Sequence, residues 1–370
     1  MNQKELTILN VGENLDSLMN LDPRGYGVCR ILYSASRKYT KEPLTTNSAK
    51  KLESTLKEGD LVYIMTGFVL LPFKKAEMDG IVSSLLLART LVKGFKVKPV
   101  IVCPEENIKA VENLAYVIGL HYHDNIESLR EYPLSLACIS FSKNEREAEL
   151  QAEELISKWL PTAVISIECP GANAQGVYHN AVGLDVSSLE AKQDILFNKL
   201  KNKGVLNIAI GDLGNEIGMG ILKEHLEKYV PYVAKGSCNC GCNGGILANT
   251  KADNIITATV SDWGCYGLIA ALAYLKKDLS LMHTKEMQKE AMITASRSGM
   301  IDMYGDLVPA IDGCGLEMNL SIVSLMRETI DSAMSLEKTC ATWFDKVMEL
   351  GFYEKADDYV YEAEKLQNII

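Results

Sequence analysis

Three oxygen-bearing side chains, Asp212, Asn215 and Glu216, crowd into the run Gly211-Asp212-Leu213-Gly214-Asn215-Glu216-Ile217-Gly218-Met219-Gly220. The glycines free the backbone to turn sharply and to approach a ligand closely. A phosphate cradle wants bare N–H groups and positive potential, so two carboxylates in one turn argue for a bound cation. A helix cap would need one such residue, not three. The glycine spacing is not a dinucleotide fingerprint. After Gly218-Met219-Gly220, Lys223 stands where the third glycine belongs. The chain carries neither a Walker loop nor a Gly-x-Ser-x-Gly nucleophile elbow.

The same combination of acid and glycine recurs. Glu77-Met78-Asp79-Gly80 opens an apolar helical stretch, and Glu168-Cys169-Pro170-Gly171 leads to Gly176-Val177-Tyr178-His179-Asn180. Ser261-Asp262-Trp263-Gly264 and Ile311-Asp312-Gly313 follow farther on. Taken singly, Glu77 and Asp79 suit a helix cap or first turn. Taken together, oxygen donors without Cys-His pairing suit a hard divalent ion, Mg2+ or Mn2+, better than zinc. The expected metal shell is Asp79, Asp212, Glu216 and Asp312, with Glu77 and Asn215 next. Cys238-Asn239-Cys240-Gly241-Cys242 lacks the two-residue gaps of paired zinc thiolates and reads as a glycine-rich loop with incidental thiols. His121 and His123 read as surface or loop histidines. His179 is the better catalytic candidate, and a hydrogen-bonding structural role suits it as well.

Positioning these residues requires a sheet. Strand-like runs at Leu61–Thr66, Lys98–Val102, Ser135–Ser140, Ala163–Glu168, Leu206–Gly211 and Asn254–Ser261 alternate with amphipathic stretches. Those stretches are Gly80–Lys93, Glu105–Ile118, Glu145–Trp159, Ser188–Lys201 and Glu216–Tyr229. The alternation predicts an α/β fold, a largely parallel, doubly wound Rossmann-like sheet with helices on both faces. Ligands of such sheets bind outside the carboxyl ends of the strands, where the acids fall. Residues 1–60 read as a helical lead-in, with patterns at Asn14–Asn20, Tyr26–Tyr39 and Asn47–Lys57, and residues 61–370 as one large α/β domain. Glu317–Ser335, Glu337–Leu350 and Lys355–Leu366 predict a helical cover, suited equally to core packing or a homodimer surface.

Composition narrows the partners. The net charge of −10 argues against nucleic acid. No apolar run reaches the ~18 residues of a membrane span. Met1-Asn2-Gln3-Lys4-Glu5 is not laid out as a signal peptide, and the ten cysteines read as free thiols. A cytoplasmic protein acting on a small acidic metabolite is the expectation.

The chain resembles the D-glutamate cyclase-like family in Thr66-Gly67-Phe68, Glu77-Met78-Asp79-Gly80, Glu168-Cys169-Pro170-Gly171, Gly176-Val177-Tyr178-His179-Asn180, the Gly211–Gly220 run, Ser261-Asp262-Trp263-Gly264 and Asp312-Gly313. The resemblance implies an α/β fold and a divalent metal, Mn2+ or Mg2+. It also implies a carbon–oxygen lyase (hydro-lyase) that interconverts D-glutamate and 5-oxo-D-proline. Glu168, His179 and Glu216 are then the expected catalytic residues. The family usually has glycine where Leu213 stands and asparagine where Asp262 stands. The second change adds negative charge near the expected metal. The acidic cluster alone would also suit a metal-dependent phosphohydrolase, with Lys74-Lys75 near the phosphate, or a non-enzymatic metal- or metabolite-binding protein.

Overall fold

The computed structural model describes residues 3–336, apart from residue 234, together with residues 346 and 349. The expected helices Glu337–Leu350 and Lys355–Leu366 lie outside the described residues, except for those two positions. The strands are β1 (Leu61–Thr66), β2 (Val69–Leu70), β3 (Lys75–Ala76), β4 (Lys98–Cys103), β5 (His121–His123), β6 (Ser135–Ser140), β7 (Ala163–Ile167), β8 (Leu206–Gly211), β9 (Asn254–Thr257), β10 (Ala310–Ile311) and β11 (Cys314–Gly315). The helices are α1 (Gln3–Met19), α2 (Val28–Thr40), α3 (Leu44–Thr55), α4 (Ile81–Phe95), α5 (Ile108–Val117), α6 (Ile126–Glu131), α7 (Glu145–Lys158), α8 (Gln193–Asn202), α9 (Lys223–Tyr229), α10 (Ser261–Lys276), α11 (Lys285–Arg297) and α12 (Leu316–Leu336).

Seven strands form one parallel sheet in the order β5-β6-β4-β1-β7-β8-β9. β1 lies in the middle. β4, β5 and β6 lie on one side of it, with β6 inserted between β4 and the edge strand β5, and the chain then crosses to lay β7, β8 and β9 on the other. The boundary between β1 and β7 is therefore the topological switch point, where adjacent crossovers diverge and leave a crevice. Alternate side chains of β1 enter different cores. Val62 and Ile64 join the core that contains α1, α3, α4, α5, α10, α11 and α12, whereas Tyr63 and Met65 join the one that contains α6, α7 and α8. Period-two alternation in a strand apolar on both faces produces this two-sided covering. α4 and α10 are buried along almost their whole length. Among the described residues no helix is long and apolar enough to cross a membrane.

Several expected elements differ at their ends, such as the helix expected over Ser188–Lys201, which starts at Gln193, and three of them have a clear local reason. The β7 run stops at Ile167, because Glu168 takes a left-handed φ of 42°. The last parallel strand ends at Thr257, because Ser261 already opens α10. The helix expected over Glu216–Tyr229 starts only at Lys223, after a short 3-10 turn at Gly220–Leu222. Glu216 instead braces the turn before it, its carboxylate accepting backbone N–H bonds from Asp212, Leu213 and Gly214. His121 and His123 stand on the short edge strand β5.

Candidate functional site

Both loops at the switch point are tied to their neighbours by backbone hydrogen bonds. After β1 the chain makes the β2–β3 hairpin, and Met78 N then donates to Ile301 O at 3.0 Å, which fixes the Glu77–Asp79 segment against the approach to β10. After β7, Gly171 N donates to Asn215 O at 2.9 Å and Ile217 N to Cys169 O at 2.8 Å. These bonds join the Glu168 loop to the glycine turn that follows β8. Gly80 is required where the segments meet. Its φ is +82°, and a Cβ there would lie 2.7 Å from Glu168 Cβ and 2.8 Å from Ile167 O.

Five acids converge as a result. Glu77, Asp79 and Asp312 form one group whose ligand oxygens lie within 4.8 Å of one another, and Asp79, Glu168 and Asp212 form a second. Glu168 and Asp312 both hold left-handed φ values, 42° and 54°, an arrangement that costs energy and is characteristic of functional sites. Burial holds the pKa values of Glu77, Asp79, Glu168 and Asp212 well above the usual carboxylate range. Mutual repulsion adds to this, from Asp312 on Glu77 and Asp212, from Asp262 on Asp79 and from Glu216 on Glu168. Like charges gathered out of water need either protons or a cation.

The hydrogen bonds show which of these acids the backbone already engages. Asp79 accepts from the N–H groups of Gly80, Ser261 and Asp262 at 2.9, 3.1 and 2.8 Å. Asp262 returns the interaction, accepting from Gly80 N at 2.9 Å and Ser83 N at 3.2 Å, and its second oxygen accepts from Tyr266 at 3.0 Å. Asp79 thus caps α10, and Asp262 caps α4. Burial pushes the Asp262 pKa up to about 6. Glu216 accepts three backbone N–H bonds at 2.6–2.8 Å, most of the lone pairs a carboxylate offers. Glu77 and Asp212 accept no hydrogen bond from the described residues. Ser261 Oγ donates to Glu168 Oε2 at 2.6 Å. Asn215 Nδ2 donates to the His179 carbonyl at 2.9 Å, which leaves Oδ1 as a donor atom for an ion.

Glu77, Glu168, Asp212, Asn215 and Asp312 line the polar side of a cavity of about 310 Å3, with Phe68, Leu70 and Leu71 among its apolar residues, while Asp79 and Glu216 stand behind that lining. Arg24, which the motifs gave no reason to select, also lines it. It pairs with the Asp312 carboxylate and donates to Asp312 O at 3.1 Å and Thr259 O. Burial opposes the Arg24 charge, but Asp312 and Asp212 more than offset this and raise its pKa. Arg24 stands in the turn between α1 and α2. Asp22 holds that turn by accepting from Gly25 N at 2.9 Å and Gly27 N at 2.7 Å. His179 does not line the cavity. Its Nε2 lies 3.1 Å from Cys240 Sγ, and burial lowers its pKa. The donor set fits a hard cation: oxygen atoms only, more negative than one guanidinium can balance.

An all-parallel sheet whose switch point gathers carboxylates around a small-molecule cavity defines an α/β protein of the crevice-binding type. The chain belongs to the D-glutamate cyclase-like family, whose model, described as D-glutamate cyclase-like, C-terminal, matches residues 15–327. Mitochondrial D-glutamate cyclase of Homo sapiens is 33% identical to it over 114 residues, 30% of this chain and 17% of that protein. The matched stretch is thus a small part of the human enzyme.

Proposed function

We propose that the crevice holds a divalent cation, Mn2+ or Mg2+, and interconverts D-glutamate with 5-oxo-D-proline and water. The observation that carries this reading is the pair of three-carboxylate groups sharing Asp79, in a chain of the D-glutamate cyclase-like family. Asp79, Asp212 and Asp312, with Glu77 and Asn215 beside them, would hold the ion. When bound, it polarises the substrate's side-chain carboxylate and offsets the charge that develops there as the ring closes.

The chain's own groups supply orientation and proton transfer. The apolar wall of Phe68, Leu70 and Leu71 favours a folded-back five-carbon chain and sheds the water around it. Arg24 offers the guanidinium that the substrate's second carboxylate needs in an otherwise acidic cavity. Glu168, whose pKa is raised by burial, relays the two protons that the substrate ammonium loses, one at a time, to the carboxylate oxygen that departs as water. One C–N bond forms, one C–O bond breaks and water leaves. Glu216 shapes the turn that presents Asp212.

A phosphate ester is a poorer fit. Among the described residues Arg24 is the cationic side chain lining the cavity, and Lys74 and Lys75 are exposed outside it. The test is to incubate the protein with D-glutamate, or with 5-oxo-D-proline, with and without Mn2+ or Mg2+, and to follow both compounds by chiral chromatography. Ion-dependent interconversion is expected. No conversion in either direction with either ion present would overturn the reading.

A further inference from the structure

A second donor cluster lies beside the carboxylates and takes no part in their chemistry. The ligand atoms of His179, Cys238, Cys240 and Cys242 all lie within 4.8 Å of one another. His179 Nε2 is 3.1 Å from Cys240 Sγ and 3.8 Å from Cys242 Sγ. Cys238 Sγ is 3.4 Å from Cys242 Sγ and 3.8 Å from Cys240 Sγ. With Zn–S bonds of about 2.3 Å, donors at the corners of a tetrahedron stand roughly 3.8 Å apart. The four side chains therefore have the spacing of a single ion's coordination shell. A disulfide would need sulfurs about 2 Å apart and would account for only two of the four groups.

We propose that His179, Cys238, Cys240 and Cys242 bind one Zn2+ in a closed, tetrahedral, structural site that fixes one wall of the carboxylate cavity. The donor set is soft, three sulfurs and one imidazole nitrogen, and four protein ligands leave no position for substrate. The loop folds tightly because Gly241 and Asn243 take φ values of 84° and 61°, which brings thiols at alternate positions to one point. Several N–H groups already aim at the sulfurs, as a thiolate shell requires. Cys242 N donates to Cys240 Sγ at 3.4 Å, and Gly244 N and Asn173 Nδ2 donate to Cys242 Sγ at 3.3 and 3.4 Å. Binding involves no redox step. The thiols release their protons to solvent, and each sulfur and the neutral imidazole donates a lone pair to the ion.

The consequence for the cavity follows from connectivity. The carbonyl of His179 accepts from Asn215 Nδ2 at 2.9 Å, and the next residues, Asn180, Ala181 and Val182, line the cavity. Asn173, which donates to Cys242, also donates to Gly245 O at 2.8 Å. Fixing the thiols thus fixes the segment over the acids.

Elemental analysis of the full chain, purified under reducing conditions without chelator and dialysed, tests the assignment independently of turnover. About one zinc per chain is expected, falling below roughly a tenth in Cys238→Ser/Cys240→Ser and staying near one in Asp212→Asn. Replacing zinc by Co2+ in the unmutated protein should give thiolate-to-cobalt charge-transfer absorption and the intense visible bands of a tetrahedral site, a readout that needs no variant to fold. Absence of zinc and of those bands, iron in place of zinc, or zinc retained by the double variant would each overturn the proposal.

Discussion

The carboxylate crevice and the thiol loop are neighbours built on opposite principles. The carboxylates arrive from the loops that follow separate strands, and Asp312 meets Arg24 across 288 positions of chain. Their assembly is electrostatically costly, since burial and mutual repulsion both disfavour ionisation and two of the residues sit in left-handed backbone. Three of the four soft donors come from one short loop, and N–H groups meet the sulfurs. A site held together by sheet topology can keep unsatisfied charge facing a cavity. A site held by a loop must satisfy its own donors. On the proposed function, reactivity belongs to the first and fixation to the second.

Substitutions can separate the two. Glu168→Gln removes the proposed proton carrier from the crevice and leaves the thiols untouched. A fall in kcat of about 10²–10⁴-fold in the cyclisation assay is expected, with metal content at the thiols unchanged. Turnover within twofold of the unmodified protein would remove Glu168 from the chemistry. Gly80→Ala forces a Cβ into Glu168 and Thr66 at 2.7 Å, at a φ of +82°. A loss of about 1–3 kcal/mol in urea-induced unfolding should follow, because neither the β1 nor the β7 side can move away.

A smaller effect measures what burying acids costs. Burial raises the Glu190 pKa to about 8, and Glu190 in turn helps to raise that of Glu77. Glu190 Oε1 accepts from Val69 N at 3.1 Å, while Oε2 has no hydrogen-bond partner among the described residues. A carboxyl group with a raised folded-state pKa favours folding while protonated, below its unfolded value of about 4.3. That advantage is lost as pH rises through the folded value. Glu190→Gln should therefore unfold about 2–4 °C above the unmodified protein at pH 8.5, with the gap closing toward pH 4.5 in thermal scans. A gap of the same size at both pH values would show that the charge is not responsible.

Much of the sheet was legible because buried parallel strands are continuous apolar runs, as in Leu61–Thr66 and Leu206–Gly211. The acids were legible as a group because they follow those strands beside glycines. Other features were hidden by distance or by competing bonds. Arg24 carries no motif, and only the fold brings the turn between α1 and α2 to Asp312. The thiols read as incidental because their fourth partner, His179, lies far upstream and their own spacing is unlike paired zinc ligands. Glu216 looked like one more ligand, yet its geometry is that of a brace for the turn. Sequence spacing does not reveal which acids the backbone has already engaged.

The reciprocal caps of Asp79 and Asp262 have a consequence for how this crevice can change. Each acid closes the start of the helix that follows the other, so α4 and α10 are interlocked at the bottom of the cavity. A variant at Asp79 would alter ligand chemistry and unfasten two buried helices in the same stroke. Loss of binding there could not be told from loss of structure. Freedom to drift toward a new substrate therefore belongs to Asp212 and Glu77, whose side chains accept no hydrogen bond among the described residues, while Asp79 is the position at which the fold and the site must change together or not at all.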